Sequence, residues 1–248
     1  MSKKIISKNQ FLKINKSMSL KMSKDISLQK DAIKIFTKAD KLRWVHQALW
    51  MGEPVLNLPQ DMFAIQEIIY STKPDYIIEI GQAWGGGLLF YATLLKMFGG
   101  KKVIGVDIFI PADLKKRLKS KKSLVDNIHY LQADSTQNST FEKIKKITKN
   151  SKKVMVILDS HHTHEHVLQE LKLYSRLVKK GFYLICSDTI INYIPKQYHR
   201  HRPWGPQNNP YTALKEFLKT NKRFKIDKEF NNKFLFSCHP NGYLKSIK

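Results

Sequence analysis

The chain has 248 residues, 44 of them lysine or arginine against 20 aspartate or glutamate, for a formal net charge of +24. That length accommodates one α/β domain with a sizeable core plus an N-terminal extension, and no apolar run approaches the ~20 residues of a membrane-spanning helix. The charge would attract nucleic acid non-specifically, yet only Arg43, Arg117, Arg176, Arg200, Arg202 and Arg223 carry the guanidinium that nucleic-acid readers favour for bidentate contacts.

Residues 1–26 read as a basic, mobile tail. This stretch lacks the continuous apolar run of a signal peptide, so a cytoplasmic location is expected. Phe11, Leu12, Ile14, Met18, Leu20 and Met22 lie among its lysines and keep a membrane-surface role open. Residues 27–72 read as a helical extension, with helix from Ser27 to Trp50, and residues 73–248 as the main domain.

Tyr76–Ile80 is a short β-branched, apolar run left through Gly81, the pattern of a buried parallel strand. Gly85, Gly86 and Gly87 then let the backbone pass close to a ligand before Leu88, Leu89, Tyr91, Ala92, Leu94 and Leu95 take up helical spacing. Val103–Asp107 is the next strand, and its terminal carboxylate stands ~20 residues beyond the glycine turn, where a ribose-binding acid belongs. Further strands are expected at Ile128–Ser135, Lys153–Asp159 and Gly181–Asp188, with helical patterns at Phe141–Thr148 and Val167–Val178 between them. Strands alternating with helices imply right-handed crossovers and a parallel sheet. Four strands therefore end in acids, Asp107, Asp134, Asp159 and Asp188, which should converge on a crevice beyond the carboxyl ends of the sheet.

From Asn192 to Tyr211, repeated proline, glycine and asparagine forbid a continuous helix and suggest a lid, to which Tyr198, His199, Arg200, His201, Arg202 and Trp204 bring aromatic and cationic groups. A helix over Thr212–Lys219 follows, then an antiparallel pair, Phe224–Phe230 with Phe234–Cys238, turning at Asn231-Asn232. The two cysteines, Cys186 and Cys238, both fall in predicted strands and read as buried thiols.

The turn from Glu79 to Gly87, EIGQAWGGG, lacks the G-x-G-x-x-G of a dinucleotide site, and its E-x-G opening resembles class I S-adenosylmethionine-dependent methyltransferases. A narrower resemblance rests on Trp50-Met51-Gly52, Pro59-Gln60-Asp61, Gln66-Glu67, the run Leu158 to Val167, the run Arg202 to Pro210, and Pro240-Asn241-Gly242-Tyr243-Leu244. In this order these motifs, covering about Trp44 to Ile247, are similar to the cephalosporin hydroxylase / rhamnosyl O-methyltransferase family. The resemblance implies a Rossmann-like α/β fold with a mostly parallel seven-stranded sheet, helices on both faces and an antiparallel C-terminal hairpin. It also implies that residues 73–248 bind S-adenosylmethionine and that a hydroxyl of a sugar, nucleotide sugar or glycan precursor is methylated. A divalent cation, magnesium or another, is implied beside the methyl donor.

By position in those motifs, the resemblance puts Glu79, Gly81, Gln82, Ala83, Gly85, Gly86, Asp107, Asp134, Ser135 and Asp159 at the cofactor. Asp159 and Asp188 fall on the metal site, with Ser187 where the family commonly has an acid, and Gly87 stands where a serine is more usual. Asp159 and His162 are the expected catalytic residues, His162 as general base because imidazole titrates near neutral pH. Arg202 and Trp204 are expected to meet the substrate. Partners are expected to be a small-molecule or glycan substrate and further copies of the chain, with no specific nucleic acid and no transmembrane segment. His162 and His166, four apart on a predicted helix, suit zinc by spacing, but the remaining ligands are not visible. An iron hydroxylase would call for a two-histidine-one-carboxylate set on a β-barrel, which this α/β pattern does not offer. An RNA methyltransferase or RNA-binding protein, and a noncatalytic relative that has lost its metal at Ser187, stay open as alternatives.

Overall fold

The computed structural model describes residues 6–248. Helices α1 (Lys8–Lys24) and α2 (Ile26–Asp40) lead into a 3-10 turn at Trp44–His46 and a short hairpin of β1 (Leu49–Trp50) and β2 (Glu53–Pro54). Then come α3 (Pro59–Thr72), β3 (Tyr76–Ile80), α4 (Gly86–Met97), β4 (Lys102–Asp107), α5 (Leu114–Lys119), β5 (Ile128–Gln132) and α6 (Asn138–Thr148). The chain continues through β6 (Val154–Leu158), α7 (His164–Tyr174), β7 (Tyr183–Cys186), α8 (Pro210–Thr220), β8 (Phe224–Ile226), α9 (Lys228–Lys233) and β9 (Tyr243–Ser246).

Strands β3 to β9 form the expected seven-stranded sheet, with the order β5-β4-β3-β6-β7-β9-β8. The first five are parallel, and β9 runs antiparallel to both β7 and β8. Central strands β6 and β7 are buried along their whole length because helices cover both faces. One face packs Ile78, Ile80, Val156 and Leu184 against Phe141 of α6, Leu171 of α7 and Phe217 of α8. The other packs Ile77, Val103, Met155 and Ile185 against Ile65 and Ile69 of α3 and Leu88 and Tyr91 of α4. The order reverses between β3, whose chain continues outward to β4, and β6 on its other side. Such a reversal opens a crevice at the carboxyl ends of the strands, and the site lies there.

Three local expectations differ from the structure. The stretch read as a tail is helical over Lys8–Lys24, starting in a capping box between Ser7 and Gln10 and lying along α9, with an ion pair between Lys16 and Glu229 at 3.3 Å. The helix expected from Ser27 to Trp50 stops at Asp40, because Arg43 takes a left-handed backbone conformation (φ 58°) and turns the chain into the short hairpin. The expected C-terminal hairpin is re-registered: Asp227 accepts a hydrogen bond from the Glu229 amide and caps α9, so Asn231 and Asn232 lie in a helix. Strand β8 pairs instead with β9, and Cys238, though buried, belongs to no strand. Among the described residues, no helix is long and apolar enough to cross a membrane.

A fully buried carboxylate on α3 fixes the C-terminal segment. Asp61 accepts from the Ser237 hydroxyl at 2.5 Å, the Cys238 amide at 2.7 Å and the Tyr243 hydroxyl at 2.7 Å. Asp61→Ala removes the shared acceptor of three donors, two of them in fully buried hydrogen bonds, and should lower the free energy of unfolding by about 3 kcal/mol or more. Urea titration tests this: the midpoint should fall with the slope unchanged.

Candidate active site

A cavity of about 430 Å³ opens beyond the carboxyl ends of β3, β4, β6 and β7. At one end the turn after β3 wraps the carboxylate of Asp107. Its Oδ2 accepts from the amides of Gln82 (3.1 Å) and Ala83 (3.3 Å), and Oδ1 accepts from the amide of Phe109 (3.2 Å). Gly81, at φ +87°, lets this turn press on the end of β6: a Cβ there would lie 2.6 Å from the Asp159 carbonyl carbon and 2.7 Å from Ser160 Cα. Glu79 is buried on the same wall, and burial, followed by the negative charge of Asp107, pushes its carboxyl up to about 8. Its Oε2 and both amide atoms of Gln82 have no hydrogen-bond partner among the described residues.

Next to this end, Asp159, His162 and Asp188 bring one ligand atom each to within 4.8 Å of one another, with His162 Nε2 3.3 Å from Asp188 Oδ2. Burial, then the like charges of Asp188 and Glu79, hold the Asp159 carboxyl well above the usual carboxylate range. Burial lowers the pKa of His162 against the opposing pull of Asp188, so the imidazole is neutral at neutral pH. Over this cluster hangs the irregular segment after β7. Trp204 stands edge-on to the rings of His161 and His162, at centroid separations of 5.3 and 4.8 Å, and the Arg202 guanidinium lies 5.0 Å from the Trp204 ring centre.

Glu79, Gly81, Gln82, Ala83, Asp107, Ser135, Asp159, His162, Asp188, Arg202 and Trp204 therefore line one cavity. Four other expected site residues do not line it. Gly85 and Gly86 serve packing: a Cβ at Gly85 would press on Leu114 and Leu118, and one at Gly86 would lie 2.6 Å from the Pro54 carbonyl carbon. Asp134 turns back on its own loop, where Oδ1 accepts from the Thr136 amide and hydroxyl. The Ser187 hydroxyl is buried without a partner among the described residues. His162 and His166 do not share a helical face, because α7 begins at His164. His166 instead shares the buried Glu170 with Ser135 and Ser160, whose hydroxyls donate to Glu170 Oε1 at 2.5 and 2.6 Å. Sequence reasoning missed the wall made by Phe36, Asp40, Val45, His46 and Asn57. No local pattern marks these residues, since they reach the cavity only through tertiary docking of the N-terminal elements.

The rhamnosyl O-methyltransferase/CmcI family matches residues 42–247. A rhamnosyl O-methyltransferase of Mycobacterium tuberculosis (strain ATCC 25618 / H37Rv) is 31% identical over 199 residues, which span 79% of this chain and 76% of that protein. This chain belongs to the family. A second relative, the rhamnosyl O-methyltransferase of Mycobacterium leprae (strain TN), is 31% identical over 203 residues, 79% of this chain and 81% of its own. Among solved structures, CmcI with magnesium and S-adenosylmethionine superposes with a TM-score of 0.57 at 22% identity, covering 81% of this chain and 77% of that one. At that identity the likeness speaks for the fold, and the order and direction of the strands agree with the class expected.

Within this family member, the Glu79 carboxyl is a sensitive reporter of the site. Its folded pKa lies above the ordinary 4.5, so between pH 4.5 and 8 the native state holds a proton that the unfolded chain releases. Stability should therefore fall as pH rises through that window, and Glu79→Gln should flatten the decline. Carbon-detected NMR of the Glu79 carboxyl should give a midpoint near 8 that moves down in Asp107→Asn, which removes the second of the two causes that raise it and leaves the opposing hydrogen bond with Tyr91.

Proposed function

We propose that the chain is an S-adenosylmethionine-dependent O-methyltransferase acting on a hydroxyl of a sugar, nucleotide sugar or glycan precursor, assisted by a divalent cation. The observation that carries this reading is the continuity of one cavity from the turn around Asp107, past Asp159, His162 and Asp188, to Trp204. Methyl donor, cation and acceptor would thus meet in line. The relatives named rhamnosyl O-methyltransferases support a sugar hydroxyl as the acceptor.

The residues present fit the cofactor. S-adenosylmethionine carries a cationic sulfonium with an activated methyl, an ammonium group and a ribose diol. The buried, unpartnered Glu79 Oε2 and Gln82 amide offer acceptors and donors to its polar end, and Asp107, fixed by three backbone amides, offers its remaining lone pairs to the diol. The donor set also fits a hard divalent cation, which often takes one or two carboxylates and keeps several waters. Asp159 and Asp188 would hold that cation, and its Lewis acidity would orient and acidify the acceptor hydroxyl.

The chain's own groups complete the chemistry. Neutral His162 has a lone pair to accept the hydroxyl proton, and Asp188 beside it offsets the resulting imidazolium charge. Trp204 covers His161 and His162, keeping water from the reacting oxygen and giving a sugar ring an aromatic surface. Alignment of an acceptor oxygen with a methyl that is already activated supplies most of what the reaction needs.

Calorimetry should detect binding of S-adenosylmethionine and S-adenosylhomocysteine, and Asp107→Ala should weaken it by about tenfold or more through lost ribose hydrogen bonds. Binding equal to wild type in that variant would remove Asp107 from the cofactor site. Mass spectrometry of methyl transfer to a panel of sugars, nucleotide sugars and RNA identifies the acceptor. Activity on it should vanish in chelator and return with magnesium, and Asp159→Asn should resist that rescue. Full activity in chelator would exclude the cation from the mechanism.

A further inference from the structure

The acceptor end of the cavity is closed in part by α2, which lies outside the residues that match the family. Helix α2 ends at Asp40, two positions before the matched region begins at residue 42. Asp40 is buried, only 4% exposed, yet it lines the cavity. The partners of its carboxylate all come from the segment after β7. Oδ2 accepts from Gln197 Nε2 at 2.5 Å and lies 3.0 Å from His199 Nε2, and Oδ1 accepts from Arg200 at 2.7 Å. Arg200 also donates to the Asp40 carbonyl at 3.2 Å, so a cation meets both the carboxylate and the negative end of the helix. These contacts join residues 157 and 160 positions apart. A second tie runs beside them: Phe36 of α2 packs in one apolar cluster with Ile190, Ile194, Leu58 and Cys238.

We propose that Asp40 is a positioning residue for the acceptor, clamping the segment that carries Arg202 and Trp204 over the cavity. Arg202 and Trp204 follow Arg200 by two and four residues in an irregular stretch held at both ends: by Asp40 on this side, and on the other by Asn208, which donates to the Pro203 carbonyl at 3.1 Å and accepts from the His164 amide at 2.7 Å. Buried on one side by α2, the carboxylate gathers three partners that would otherwise be solvated, and its loss leaves Arg200 without its counter-charge and Gln197 without its acceptor. By this inference, acceptor recognition in this chain depends on a helix lying outside the residues that match the family.

The inference rests on the methyl-transfer reading for the word acceptor, but its test does not. Hydrogen exchange is measured on the full chain saturated with S-adenosylhomocysteine. Asp40→Asn should speed exchange in residues 193–204 about tenfold, with exchange in β3, β6 and β7 unchanged. Arg200→Gln, altered from the side of the segment and so independent of any folding defect in α2, should give the same acceleration. The double variant should add little to either single one, because both remove one interaction. Asp40→Glu, which keeps the charge, should recover most of the protection. The dissociation constant of S-adenosylhomocysteine should stay within about twofold of wild type in all four variants. Unchanged exchange in both single variants, additive effects in the double variant, or acceleration spread through the central strands would each overturn the proposal. Failure of wild type to bind S-adenosylhomocysteine would instead overturn the methyltransferase reading, and the exchange comparison could then be repeated on the free protein.

Discussion

The contact on which the site depends is the close approach of the turn after β3 to the end of β6. The hydrogen-bond pattern of the sheet runs past the strand ends here: the Asp159 amide donates to the Ile80 carbonyl, and the Gly81 amide to the Val106 carbonyl, each at 2.8 Å. Gly81 has no side chain to hold the two loops apart. As a result the wall formed by Glu79, Gln82 and Asp107 adjoins Asp159, and through it His162 and Asp188. A methyl donor and an oxygen acceptor must react in line over a short distance, and this approach supplies that proximity from the backbone alone.

The arrangement concentrates negative charge where the chain as a whole has little. Against a net +24, five of the 20 acidic residues line one cavity: Asp40, which is paired with Arg200, and the cluster of Glu79, Asp107, Asp159 and Asp188. Their mutual repulsion and burial favour protonation of Glu79 and Asp159, and a positively charged guest relieves both. The lysine-rich exterior acts in the opposite sense and draws anionic molecules toward the surface. An acceptor linked to phosphate and a cationic cofactor would thus each meet a favourable field, one outside the cavity and one within it.

Much of this was legible in the sequence because a parallel sheet writes itself into short β-branched runs. Strands β3, β5, β6 and β7 lie within the predicted runs, β4 starts one residue before its own, and the acids at the ends of β4, β6 and β7 reach the cavity. Asp134 also stands at a strand end, but Thr136 and Gln137 follow closely enough to turn its carboxylate inward. The C-terminal hairpin misled because Phe224–Phe230 and Phe234–Cys238 have the composition of strands, while the choice between strand and helix was made by one cap, Asp227, and by pairing with β9. The glycine run showed the opposite ambiguity: Gly86 is demanded by the neighbouring Pro54 carbonyl, a contact that no spacing announces. Asp40 and Phe36 were beyond sequence reasoning altogether, since a carboxylate at a helix end reads as solvated until its partner, 160 residues away, is known.

The attachment of the C-terminal segment bears on when the site can first exist. Asp61 finds its partners at positions 237, 238 and 243, the Asp188 amide donates to His239 Nδ1, and the Thr189 hydroxyl donates to the Pro240 carbonyl. Strand β9 is also the partner that β7 needs on its outer side. During synthesis these residues leave the ribosome after β3 to β7, so those strands must wait with one edge of the sheet unpaired and with Asp61 lacking its donors. Contacts of such long sequence separation form slowly. The nascent chain would therefore pass through a state that has most of its sheet but no finished crevice, so that the sheet edge and the site are completed in the same step.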